Sequence, residues 1–105
     1  MPTIPTASTS FESFNILRVD VGTNCPSGGD IGHGGRTLLR FTNEASTDMR
    51  VRIDEGAQVE VRCVELVFGG DAECQTLIQS LEFALDALKK FTAANTLSAQ
   101  EETVA

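Results

Sequence analysis

The sequence predicts an α+β domain: a four-stranded antiparallel β-meander followed by one C-terminal amphipathic helix packed on one sheet face, in the order β-β-β-β-α. Three observations predict it. Apolar and polar residues alternate with a period of two in several short runs between positions 14 and 68. Clusters of Gly, Asn, Asp and Ser punctuate those runs. From residue 71 the period changes to three and four, and a single apolar stripe continues for about five turns.

Residues 14–21 form the first expected strand. Leu17, Val19 and Val21 alternate there with Arg18 and Asp20. A long glycine-rich connection, residues 22–36, leads to the second strand at 37–42. In that strand Leu39 and Phe41 face one way, Leu38 and Arg40 the other. Residues 43–48 read as a turn. The third strand, 49–54, sets Met49, Val51 and Ile53 against Arg50, Arg52 and Asp54. Asp54, Glu55 and Gly56 make a tight hairpin turn. The fourth strand spans 57–68. Its apolar phase jumps between Cys63 and Val64, which predicts a β-bulge that keeps both apolar sets on the core side.

Gly69, Gly70 and Asp71 turn the chain into the helix. Asp71 is a good N-cap, and Glu73 suits the positive pole of the helix dipole. Cys74, Leu77, Ile78, Leu81, Ala84, Leu85, Leu88 and Phe91 form the stripe. Lys89 and Lys90 are expected near the helix end, at the negative pole. Residues 1–13, rich in Thr, Ser and Pro, read as a flexible N-terminal arm. Residues 93–105 read as a flexible C-terminal tail. The domain proper is therefore expected at 14–92.

A chain of 105 residues allows one domain. Six Phe, with no Trp or Tyr, supply all its aromatic packing. The net charge of −7 argues against non-specific nucleic-acid binding, which depends on neutralising phosphates. The six Arg all lie between Arg18 and Arg62, so the positive charge is localised. Three Cys, an odd number, and a polar start without a leader-like apolar segment set the expectation of free thiols in a cytoplasmic protein. No apolar run is long enough for a membrane span.

Five glycines in residues 28–35 make the least ordinary segment of the chain. Such density lets the backbone take positive φ and present N–H groups to an anion. Gly28, Gly29, Gly32, His33, Gly34, Gly35 and Arg36 are the candidate anion or small-ligand residues. A phosphate loop of the usual kind precedes a helix and carries Lys-Ser or Lys-Thr, whereas this one precedes a strand. The plain alternative is a long hairpin connection. Cys25 and His33, with Asp30, are weak candidates for a metal site, because a structural zinc needs four ligands and no close Cys pair exists. The same Cys25 and His33 could form a nucleophile and base on paper, but all on one loop. No complete catalytic motif is present, and no cofactor is expected.

Arg18, Arg40, Arg50, Arg52 and Arg62 fall on the polar side of the expected strands. They form a candidate partner-binding face, since Arg is enriched at interfaces. Asp20, Asp54 and Glu60 could instead satisfy them in cross-strand pairs. The reading that follows is a non-enzymatic interaction or assembly module, a small accessory or structural protein such as a phage product. It would contact a protein partner or itself through the arginine face and the glycine-rich loop. The rival reading is an anion, ligand or metal site in loop 25–36.

Overall fold

The structure, a computed structural model, describes residues 4–25 and 35–104, with side chains through residue 95. The chain forms two compact units, Met1–Cys74 and Gln75–Ala105. Among the described residues the first holds six strands: β1 (Thr6–Glu12), β2 (Ile16–Thr23), β3 (Arg36–Ala45), β4 (Arg50–Val51), β5 (Val59–Glu60) and β6 (Cys63–Gly69). One helix, α1 (Asp71–Val104), follows.

Four strands form one antiparallel sheet in the order β1-β2-β3-β6. β4 and β5 pair separately as a two-stranded ribbon inserted between β3 and β6. The α+β class, the four antiparallel strands and the C-terminal helix are as the sequence predicts. The membership of the sheet differs.

The first difference is β1. Residues 6–12, expected in a flexible arm, pair with β2 from Thr6 opposite Gly22 to Glu12 opposite Ile16. The segment is polar, but Ala7, Thr9 and Phe11 alternate with Ser8 and Ser10. That suits an edge strand with one apolar side. A second difference concerns the expected third and fourth strands. Only Arg50–Val51 and Val59–Glu60 form the ribbon, with Arg50 opposite Glu60. No single bulged strand runs through 57–68. Val61 still donates to the Met49 carbonyl at 3.1 Å, whereas the Arg62 carbonyl accepts from Asn43 at 2.7 Å. The chain thus changes partners between residues 61 and 62, and this absorbs the phase jump that the sequence places at Cys63–Val64. The hairpin turn at 53–56 forms as expected. Gly56 donates to the Ile53 carbonyl at 2.9 Å. Asp54 and Glu55 both take positive φ, 46° and 63°, as in the primed turns that join twisted strands.

Register sorts the sheet into two faces. Ala7, Val21, Leu39 and Leu66 lie in one cross-strand row, and Thr9, Val19, Phe41 and Val64 in another on the same side. The opposite face carries the row Ser8, Asp20, Arg40 and Glu65. Leu39, on the central strand β3, is the deepest apolar side chain of the sheet at 6% exposure.

Two glycines are required by geometry. A Cβ at Gly22 would overlap the Pro5 carbonyl oxygen and lie 2.9 Å from the Thr6 Cα, so its absence lets β1 begin against β2. Gly70, at φ 116°, makes the sharp turn into α1. Its amide donates to the Gly35 carbonyl at 2.9 Å, and its own carbonyl accepts from Cys74 at 3.3 Å.

α1 is 34 residues long, with Asp71 and Glu73 in its first turn and no basic residue in its last. It continues through the residues expected to be a flexible tail. The stretch 93–104 contains no Gly or Pro and includes Ala93, Ala94, Leu97 and Ala99, so helix propensity persists where the apolar stripe has ended. Lys89 and Lys90 are consequently mid-helix, away from the negative pole. Lys90 instead pairs with Asp86 one turn back, at 2.9 Å.

Gly22→Ala should displace the start of β1. The expected cost is about 1–3 kcal/mol in denaturant unfolding, with faster proteolytic cleavage ahead of residue 13. Unchanged stability and cleavage would show that β1 does not pack closely at Gly22.

Candidate functional site

The polar row of the sheet is organised by Asp20. This residue lies on β2, one strand in from the edge, and is 1% exposed. A buried carboxylate needs partners. Ser8 on β1 donates its hydroxyl to Asp20 Oδ1. Arg18 Nε reaches the same oxygen at 3.1 Å, and Arg40 Nε on β3 reaches Oδ2 at 3.1 Å. Arg40 also spans to β6, where its Nη1 lies 2.9 Å from Glu65 Oε1. The chain of contacts therefore crosses all four strands.

The hydrogen bond from Ser8 is the main cause that holds the Asp20 carboxyl at about 2, below its ordinary value. Burial opposes the shift, and the bonds from Arg40 and Arg18 add to it. The same pairing raises Arg40 above its ordinary value.

The five arginines read from the sequence as one face are not brought together in one sheet. Arg18 and Arg40 are on the polar side of the main sheet and engage Asp20 and Glu65. Arg50 belongs to the ribbon, its Nε 3.4 Å from Asp48 Oδ1. Arg52 is exposed between β4 and β5, and Arg62 is exposed at the junction of β5 and β6. Arg62 lines a surface cleft of about 470 Å³ with Asn43, Glu44, Ala45, Glu60 and Val61. The sequence reading missed Ser8, lost in the supposed arm, and Glu65. The period-two pattern from Ala7 to Phe11 was the available signal for Ser8.

Of the candidate loop residues, Gly28, Gly29, Gly32, His33 and Gly34 lie outside the described residues, as does Asp30. The base of the loop is held by a polar cluster. The Arg36 amide donates to Asn24 Oδ1 at 2.8 Å, and the Asn24 amide donates to the Arg36 carbonyl at 3.2 Å. Thr23 and Thr37 share a hydroxyl contact at 2.9 Å. The Cys25 amide donates to Thr23 Oγ1 at 3.1 Å, and its thiol faces the Gly70 carbonyl at 3.7 Å. Arg36 Nη1 donates to the Gly35 carbonyl at 2.8 Å. Cys25, Cys63 and Cys74 fall in a loop, a strand and the helix, and all three are free thiols. Among the described residues, no three His, Cys, Asp or Glu side chains are grouped to hold a metal ion.

No family model matches this chain, and no curated protein or solved structure is significantly similar to it.

Several apolar side chains of the sheet are open to solvent. Phe11 is 61% exposed, Val21 38% and Leu66 47%. Ala7, Thr9, Phe11, Val19 and Val21, with Ser8, line a shallow hollow of about 190 Å³. In the helical unit, the stripe from Ile78 to Phe91 carries exposed Leu81, Leu85 and Leu88. Among the described residues, no helix is long and apolar enough to cross a membrane.

Asp20 also fixes a pH dependence. Its carboxyl is about 2 in the folded chain, against 3.8 for the ordinary group. The folded state therefore binds fewer protons than the unfolded one between those values, and stability rises with pH there. The contribution is complete above about pH 4 and is lost as pH falls through 2. Unfolding measured from pH 5 to pH 2 should show this decline, and Asp20→Asn should be less stable at neutral pH with a flatter slope. An unchanged slope in the variant would separate Asp20 from the acid limb.

Proposed function

We propose that this chain is a non-enzymatic interaction module, built to assemble with a protein partner or with itself. One observation carries the reading. Among the described residues, Leu39 and Cys74 are the only buried apolar residues, while thirteen large apolar side chains are exposed. Isolated small domains bury a modest share of their surface, but contiguous open apolar area marks an interaction surface.

Two contact surfaces are assigned, one in each unit and each taken by itself: the apolar rows of the sheet and the apolar stripe of α1, in place of the arginines. Arg18 and Arg40 already hold Asp20 and Glu65, so their charge is largely used within the chain. Arg52 and Arg62, exposed on the inserted segment, are left for the polar rim of a contact. The net charge of −7 favours a protein partner over nucleic acid. Three free thiols, one of them exposed at Cys63, suit a reducing, cytoplasmic setting.

Sedimentation across a concentration series, and size fractionation of extracts from cells expressing the chain, should place it in a species heavier than 11.2 kDa. On dilution to the single chain, binding of an apolar dye per chain should rise as the faces open. A chain found at monomer mass in both settings, with dye binding independent of concentration, would sink the reading.

A further inference from the structure

Resting on the interaction-module reading, we propose that two copies of this chain join β6 to β6, antiparallel about a twofold axis at Leu66, to make one continuous eight-stranded sheet. β6 closes the sheet on one side: β3 is its only strand neighbour among the described residues. Such an edge offers unpaired N–H and C=O groups to another strand.

Which groups face outward follows from the ladder. The Asn43 amide donates to the Arg62 carbonyl, and the Gly70 amide to the Gly35 carbonyl, at 2.7 and 2.9 Å. Between those bonds β3 and β6 keep one register, from Arg36 opposite Gly69 to Thr42 opposite Cys63. Hydrogen-bonded and non-hydrogen-bonded pairs alternate along an antiparallel ladder. Val64, Leu66 and Phe68 therefore turn their backbone groups toward β3. Cys63, Glu65, Val67 and Gly69 turn theirs outward.

Three twofold registers can be compared. An axis at Glu65 opposes two like charges and leaves Gly69 without a partner. An axis at Val67 leaves Cys63 without one. An axis at Leu66 pairs Cys63 with the partner's Gly69 and Glu65 with the partner's Val67, so every outward residue is used. Leu66 then meets the partner's Leu66, and Val64 the partner's Phe68. Both contacts fall in the closer, non-hydrogen-bonded pairs, with Cα atoms about 4.5 Å apart. The rotation keeps the apolar rows on one side, so the row Ala7, Val21, Leu39, Leu66 continues into its own copy.

The sequence of β6 also carries few of the usual edge guards. β6 contains no Lys, Arg or Pro, and Glu65 is its one charge. That carboxylate is held by Arg40 at 2.9 Å. Leu66 and Val67 are 47% and 54% exposed in the single chain, and the pairing covers both.

Sedimentation equilibrium on the full chain tests the register. Val67→Glu sets a carboxylate against the partner's Glu65 on both sides of the axis, and the dissociation constant should rise roughly tenfold or more. Val67→Lys sets an ammonium against the same Glu65 and should leave the constant within about threefold of wild type, or tighten it. Loss of apolar surface alone would weaken the two variants alike. As a second readout, Leu66→Cys should cross-link across the axis under mild oxidation, well above the background of wild type and of Glu65→Cys. Equal effects of Val67→Glu and Val67→Lys, or equal cross-linking of Leu66→Cys and Glu65→Cys, would overturn the proposal while self-association persists. A chain that joins only a different protein overturns it and leaves the interaction-module reading standing. A chain that joins nothing ends both.

Discussion

The buried carboxylate of Asp20 is the constraint around which the sheet is arranged. It sits on the polar face, yet solvent barely reaches it. A charge in that position is tolerable only when several donors converge on it. Those donors come from three strands: Ser8 on β1, Arg18 on β2 and Arg40 on β3. Any slip of one residue between these strands would move a donor to the other face and leave the carboxylate unpaired. The apolar alternation restricts register only by face. The carboxylate restricts it to one row.

The same cluster explains why a polar segment, Thr6–Glu12, holds as an edge strand. Little apolar burial is available to it, since all seven residues are exposed. Its attachment is instead directional. Ser8 is bound to Asp20, Ser10 to Glu44 at 3.1 Å, and Gly22 opens room for the chain to enter beside Pro5 and Thr6. Seven ladder positions with β2 supply the remainder. Hydrogen bonding to a charged partner is worth more than a neutral bond, which makes Ser8 the strongest single tie.

Much of this was legible in the sequence, and each failure has its own physical cause. β2 and β3 announced themselves because apolar and polar side chains alternate along them, so period two is written in hydrophobicity. The turn at Asp54–Gly56 and the start of α1 at Asp71 were legible because turns and helix starts use a few residue types for local reasons. β1 was legible only in the weak alternation of Ala7, Thr9 and Phe11, because its pairing is carried largely by hydroxyls that look the same in a disordered arm. The far half of α1 was not, because it continues on propensity after the apolar stripe stops. The break at residues 61–62 showed itself as a phase jump, but a phase jump alone does not separate a bulge from a change of partner strand. At the candidate site, Asp20 and Arg40 were visible as interleaved charges. Their convergence depended on Ser8 and Glu65, which only the strand register reveals.

The two edges of the sheet differ in a way that follows from that same cluster. β1 is polar, begins directly after Pro5 and ends in Glu12, which are ordinary means of discouraging further strand pairing. β6 has none of them except Glu65. A free glutamate in the middle of an edge strand would guard it, because desolvating an unpaired carboxylate is costly. Here Arg40 holds Glu65 with one nitrogen while another holds Asp20. The network that secures the interior thus already supplies the counter-charge that Glu65 would need on being covered. Closing the sheet around Asp20 lowers the cost of extending it at β6, and that coupling is the physical reason to look for the partner at this edge.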